Sequence, residues 1–153
     1  MAQTEEGELL YGFPPIVGER PRVLILGSMP SVKSLEFGQY YGHPRNHFWK
    51  ILCALLNQPV PQRYEERAEV LRKAGIAVWD AIERCRREGS LDQSIREERP
   101  NDVVGLLRSR PSITLVVFNG RKAEKGFYRG MRVLYGGDVP DVMQRCRFVR
   151  VPS

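Results

Sequence analysis

The sequence predicts an α/β domain built on a mainly parallel sheet covered on both faces. Short continuous apolar runs, Val23-Leu24-Ile25-Leu26, Ile76-Ala77-Val78-Trp79 and residues 113–118, have the pattern of strands buried on both sides. Segments with helical spacing or helix-end punctuation lie between them, so strands and helices alternate along the chain. With 153 residues and 42% hydrophobic content, the chain suits a single domain with a buried core.

Residues 1–20 mix acids, glycines and the pair Pro14-Pro15, and read as an N-terminal arm lying over a domain at 21–153. Val23 to Leu26, ending at Gly27, is the first core strand. Over residues 46–56, Phe48, Ile51, Leu52, Leu55 and Leu56 recur at helical spacing with Pro44 just ahead, which predicts a helix with one buried face. Residues 64–74 form a second helix, charged outside, with Gly75 where a helix stops. The strand Ile76 to Trp79 follows.

Asp80 is expected to cap a short helix through Arg87, and the polar stretch 89–100 has no legible conformation. Asn101 is expected to cap a helix over 102–108. After the strand at 113–118, Asn119-Gly120 turns the chain into a helical segment over 121–128, and 147–151 is the last strand. Parallel sheets bind ligands beyond the carboxyl ends of their strands, which directs attention to the loops starting at Gly27, Asp80, Asn119 and Pro152.

Lysine and arginine outnumber aspartate and glutamate by 24 to 18, a formal charge of +6. Such an excess is compatible with phosphate-backbone attraction and equally with solubility alone. No apolar stretch approaches the roughly 20 residues that span a bilayer, and the acidic start Thr4-Glu5-Glu6 is unlike a secretory leader, so a soluble, cytoplasmic protein without membrane association is expected. Cys53, Cys85 and Cys146 lack any C-x-x-C pair and read as free thiols. Neither a P-loop nor a dinucleotide fingerprint follows the first strand. His43 and His47 have Pro44 between them and no evident third ligand, so no metal is expected.

The densest unusual chemistry follows the first strand, in Gly27-Ser28-Met29-Pro30-Ser31-Val32-Lys33-Ser34 and then Gln39-Tyr40-Tyr41-Gly42-His43-Pro44-Arg45-Asn46-His47-Phe48-Trp49. Small residues with backbone N–H groups at a strand end approach an anion or base edge closely. Tyr40 and Tyr41 are suited to stack on an unpaired base. Phe48 fits both a stacking role and the buried stripe of its helix. Asn119 lines a strand-end pocket or makes the Asn-Gly turn. His43 reads as a nucleotide contact or a surface histidine, and Lys33, Arg45, Arg121 and Lys122 as backbone contacts at loop mouths or solvated charges.

These segments resemble the hypoxanthine-DNA glycosylase branch of the uracil-DNA glycosylase superfamily, through GSMPSVKSL followed by QYYGHPRNHFW. The similarity continues through Val78-Trp79-Asp80, the stretch from Gly89 to Ile95, and Phe118-Asn119-Gly120-Arg121-Lys122-Ala123. It implies a three-layer α/β/α fold around a four-stranded, mainly parallel sheet, and hydrolysis of the N-glycosidic bond of a deaminated base, preferentially hypoxanthine, in single- or double-stranded DNA.

In related glycosylases an acid or amide after the first strand positions the attacking water. Met29 stands at that place here, and the resemblance points instead to Asn46 as the catalytic amide. As read from its position alone, Asn46 is equally a helix cap. The expected base-binding set is Gly27, Ser28, Met29, Tyr41, His43, Phe48 and Asn119. The expected DNA contacts are Ser31, Lys33, Arg45, Arg121, Lys122, Pro152 and Ser153. No cofactor is implied because water is the co-substrate, and a monomer is expected.

The resemblance also implies a Pro-Ser loop after the last strand, entering the minor groove ahead of a closing helix. The sequence stops at Val151-Pro152-Ser153, so the domain is expected to be truncated there. Two other readings fit the letters: a catalytically inactive DNA-binding homologue, and a small-molecule or nucleotide-binding α/β enzyme using the same strand-end loops. DNA binding without base release separates the first; binding of a free nucleotide but not of DNA separates the second.

Overall fold

The computed structural model describes residues 7–152; residues 1–6 of the expected arm and Ser153 lie outside the described residues. In chain order the elements are β1 (Glu8–Tyr11), β2 (Val23–Gly27), α1 (Val32–Phe37), α2 (Phe48–Leu55), α3 (Tyr64–Ala74), β3 (Ile76–Asp80), β4 (Ile82–Arg87), a 3-10 turn (Asp92–Ser94), β5 (Arg96–Pro100), α4 (Val103–Ser109), β6 (Leu115–Asn119), α5 (Arg121–Tyr135), α6 (Pro140–Arg145) and β7 (Arg147–Val151). A four-stranded parallel sheet runs β3-β2-β6-β7, and a three-stranded antiparallel sheet runs β1-β4-β5.

Alternation along the parallel strands builds the two faces. Leu24 and Leu26 turn to a core with Val116, Phe118, Leu107 of α4, Phe127 and Met131 of α5, and Val142 of α6. Ile25 and Val78 turn the other way, to Trp49 of α2, Ala68 and Leu71 of α3, and Tyr40. The result is three layers, helices on each side of the sheet. A smaller cluster of Met29, Ile82, Cys85 and Ile95 lies under the antiparallel sheet. The N-terminal segment adds to the parallel sheet's edge, where Ile16 and Val78 exchange two backbone hydrogen bonds of 2.9 Å.

Four expectations are corrected. The segment after Asp80 is the strand β4, not a helix: Ile82 and Cys85 have helical spacing, but their chain pairs with β1 on one side and β5 on the other. Asp102, not Asn101, caps α4, accepting from the Gly105 amide at 2.9 Å, while Asn101 donates its amide to the Asp80 carbonyl at 2.8 Å. The buried face of α2 is Phe48, Trp49 and Cys53, whereas Ile51 and Leu55 are exposed. The helix from Arg121 also runs on to Tyr135, where Gly136 ends it in the left-handed region.

Candidate active site

Register decides which side chains meet at the carboxyl ends of the parallel strands. Gly27 lies level with Asp80 across the β2–β3 pair, and β6 delivers Asn119 next to Phe118, which is level with Leu26. Gly27 is required here by what surrounds it. A Cβ on that residue would stand 2.5 Å from Asp80 Oδ1 and 3.3 Å from the Tyr41 hydroxyl, so the carboxyl and phenol occupy the space of its side chain. Asn119 donates from Nδ2 to that same hydroxyl at 3.3 Å.

Tyr41 is held in an unusual conformation. Its φ of 53° is in the left-handed region, uncommon for a bulky residue. Its ring stacks on Phe48 with centroids 3.8 Å apart and planes 15° from parallel. That spacing is a direct contact, with no slot for a base between the two rings. Burial, and next the nearby Asp80, push the Tyr41 phenol above its ordinary range, while the bond from Asn119 acts against them. Tyr40, by contrast, is an anchor: its hydroxyl donates toward the Pro14 and Phe13 carbonyls, and its own carbonyl accepts from the Trp49 indole at 3.0 Å.

The sequence reads Asp80 as a helix cap at the start of one of the strand-end loops, and does not place it among the site residues. The residue is 4% exposed, and its Oδ2 has no partner among the described residues. Burial pushes its carboxyl up to about 7, the charge of Asp92 adding to the effect and that of Arg87 opposing it. The signal available in the sequence is its position as the last residue of a parallel strand, β3 at the sheet's edge, where parallel sheets present side chains to ligands.

The stretch 89–100, illegible in sequence, clamps the loop after β2. Ser28 donates from Oγ to Asp92 at 2.7 Å, the Val32 amide donates to Ser90 Oγ at 2.9 Å, and the buried Arg87 donates from Nη2 to the Pro30 carbonyl at 2.7 Å. Met29 is buried against Ile82, Cys85 and Ile95, which gives it a packing role at the base of this loop. Ser31 caps α1, accepting from the Ser34 amide, and Ser34 Oγ accepts from the Gly42 amide at 3.0 Å, tying the two halves of the motif together.

Asn46 is exposed, and its Oδ1 accepts from the Phe48 amide at 2.8 Å, so it shapes the entrance to α2. A carboxamide oxygen keeps a second lone pair after one such bond, and the NH2 group is a further double donor. His43 Nδ1 accepts from the Arg45 amide at 3.0 Å, which orients the ring. Lys33 pairs with Glu36 along α1, and Lys122 pairs with Glu98 of β5. Arg121 opens α5 beside Arg150, Val151 and Pro152, where the Gly120 amide donates to the Val151 carbonyl at 2.9 Å. Gly27, Tyr41, Phe48 and Asn119 therefore share one rim, joined there by Asp80. Among the described residues no group of three or more His, Cys, Asp or Glu is placed to hold a metal ion, and no helix is long and apolar enough to cross a membrane.

Residues 14–149 match the family model of the uracil DNA glycosylase superfamily. A protein from Methanosarcina barkeri named hypoxanthine DNA glycosylase is 39% identical over 113 residues, 73% of this chain and 72% of that one. A protein of the same name from Methanosarcina acetivorans is 40% identical over the same shares. The fold superposes with a TM-score of 0.75 and 33% identity on a provisionally named uracil DNA glycosylase from Methanosarcina acetivorans, solved by solution NMR, covering 95% of this chain and 84% of that one. A parallel sheet of four strands between helical layers, a polar rim at its carboxyl ends and these matches lead to one assignment: the chain belongs to the uracil DNA glycosylase superfamily.

Proposed function

We propose that this chain hydrolyses the N-glycosidic bond of deaminated nucleotides in DNA, with hypoxanthine the preferred base, as the first step of base excision repair. The observation that carries this reading is the meeting of a strand-end amide, Asn119, with the Tyr41–Phe48 aromatic pair beside the bare backbone of Gly27. An amide reads a base edge, an aromatic face stacks on the ring, and a glycine admits both closely. The names of the two Methanosarcina relatives support hypoxanthine as the base.

In this reading the target nucleotide flips out of the stack and its base enters at Asn119, displacing the Tyr41 hydroxyl that now takes the amide's proton. Asn46 positions water for attack on the anomeric carbon through its remaining acceptor site. Backbone N–H groups of the loop at Ser28 and Met29 face charge gathering on the departing base. Lys33, Arg45, Arg121, Lys122 and Pro152 contact the DNA strand, and His43 the flipped nucleotide. Water is the co-substrate, and the enzyme acts as a monomer.

Single-turnover release of hypoxanthine from a deoxyinosine duplex tests this. The wild type is expected to release the base, and Asn46→Ala to lower the rate about 100-fold, well beyond the ~1 kcal/mol that loss of a helix-entrance bond costs in stability. Absence of release by folded wild-type protein overturns the activity; an unchanged rate in Asn46→Ala overturns the residue assignment.

A further inference from the structure

Among the described residues Asp80 is the one buried acid, and the reading above gives it no role. It is nearly fully buried, its Oδ2 lacks a partner among the described residues, and its Oδ1 fills the side-chain space of Gly27 beside the Tyr41 hydroxyl. The charged and titratable groups facing it are Arg87 from β4, Asp92 from the turn after it, and Tyr40 and Tyr41 from the loop before α2. Arg87 uses Nη2 on the Pro30 carbonyl, and Asp92 uses Oδ1 on Ser28. An unpaired buried carboxylate is costly, whereas a neutral carboxyl in the same place is a hydrogen-bond donor.

The Tyr41 hydroxyl marks where a ligand edge would sit. It receives Asn119's proton and lies by the same Gly27 space as the Asp80 carboxyl. Rotation of Tyr41 away from the rim opens that volume to a base addressed by the amide and the acid together. We propose that Asp80 is the acid of the reaction, passing its carboxyl proton to N7 of the departing hypoxanthine as the bond to the sugar breaks; this rests on the glycosylase reading above.

The step balances without any further reactant. The C1′–N9 electron pair goes to the base, the Asp80 proton goes to N7, and the base departs neutral instead of as an anion. The water oxygen bonds to C1′ and releases one proton to solvent, from which the Asp80 carboxylate is reprotonated. Burial and Asp92 hold this carboxyl at about 7, so a large share of it carries the proton under neutral conditions.

Single-turnover rates on a deoxyinosine duplex, measured from about pH 5.5 to about pH 9 for wild type, Asp80→Asn and Asp80→Ser, test the assignment. The wild-type rate is expected to fall about tenfold per pH unit above about 7. Both variants are expected to be about 100-fold slower near pH 6 with flat profiles, so that the gap closes at the alkaline end. A merely structural role would lower the rate equally at every pH, and variants that keep the alkaline limb overturn the proposal. If one variant fails to fold the other decides, and a flat wild-type profile overturns it with no variant at all. Release of hypoxanthine by wild type with no such limb rejects this acid while leaving the glycosylase reading intact; no release at any pH removes both.

Discussion

The two ends of the parallel sheet treat polar groups in opposite ways. At the amino end, open cavities of about 520 and 670 Å³ are lined by Gly18, Arg20, Arg72 and neighbouring residues. The chain crossings there satisfy the backbone: the Arg22 amide donates to the Gly75 carbonyl at 2.7 Å, and Ser112 Oγ to the Pro21 carbonyl at 2.5 Å. At the carboxyl end the Tyr41 ring fills the space, yet Asp80 Oδ2 and two nitrogens of Arg87 are buried without partners among the described residues. One further atom of this kind, Arg145 Nε, lies before β7. Open volume is found at both ends, a further cavity of about 420 Å³ lying beside Arg121 and Pro152, so what sets the carboxyl end apart is that it holds three of the four buried unpartnered polar atoms among the described residues.

Gly27→Ala is the strongest way to break that contrast. Its new Cβ would meet the Asp80 carboxyl at 2.5 Å inside a buried rim, forcing the acid and Tyr41 to shift. A destabilisation of about 1–3 kcal/mol in urea unfolding is expected, with a loss of about 100-fold in base release because reacting groups are displaced. A variant with wild-type stability and rate would show that the carboxyl end tolerates a side chain and is not preorganised.

Asp80→Asn sharpens the contrast through pH. The folded protein holds the Asp80 proton up to about 7, whereas the ordinary value is 3.8. The stability linked to that proton is whole below the ordinary value and is lost as pH rises through the folded one. Asparagine does not ionise and escapes the loss. The variant should therefore unfold with a stability advantage on the order of 2 kcal/mol near pH 8 and none near pH 3.5. Equal stability at both ends of that range would mean the carboxyl is ionised and accommodated in the folded state.

The same contrast explains what the sequence made legible. Strands β2, β3 and β6 were visible because burial on both faces leaves a continuous apolar run, and α3 because Gly75 closes it in the left-handed region with φ of 77°. The antiparallel sheet was not. Ile82–Arg87 and Arg96–Pro100 are charged segments, and β4 is made a strand by pairing with Glu8–Tyr11, more than 70 residues away in the chain, a non-local term no window contains. At the rim, Gly27, Tyr41, Phe48 and Asn119 could each be named from composition and resemblance. Their register could not, nor could the direct stacking of Tyr41 on Phe48. Asp80 reads as a cap because an aspartate before Ala-Ile-Glu-Arg has that pattern until the strand ladder places it level with Gly27.

Tyr41→Phe tests whether the filled rim restrains the site. The substitution removes the hydroxyl that accepts from Asn119 but keeps the ring on Phe48. One hydrogen bond at 3.3 Å is worth about 1 kcal/mol net, so the melting temperature should fall slightly. If displacing that hydroxyl is part of base entry, the enzyme concentration giving half-maximal single-turnover rate should fall about threefold, since the amide is released in advance. A rise in that concentration would instead make the hydroxyl a contact to the bound nucleotide.

The smallest effect is expected at the amino end. Arg72 pairs with Glu69 at 3.6 Å, and the two side chains are 41% and 51% exposed, the kind of pair that contributes little. Arg72→Ala combined with Lys73→Ala should leave stability within about 0.5 kcal/mol of wild type. If the DNA lies across the carboxyl end, the single-turnover rate and the slope of DNA affinity against salt should also stay as they were, because neither cation would neutralise a phosphate. A salt slope reduced by about 2 would place two phosphate contacts at the amino-end cavities, and the division of labour between the two ends would have to be redrawn.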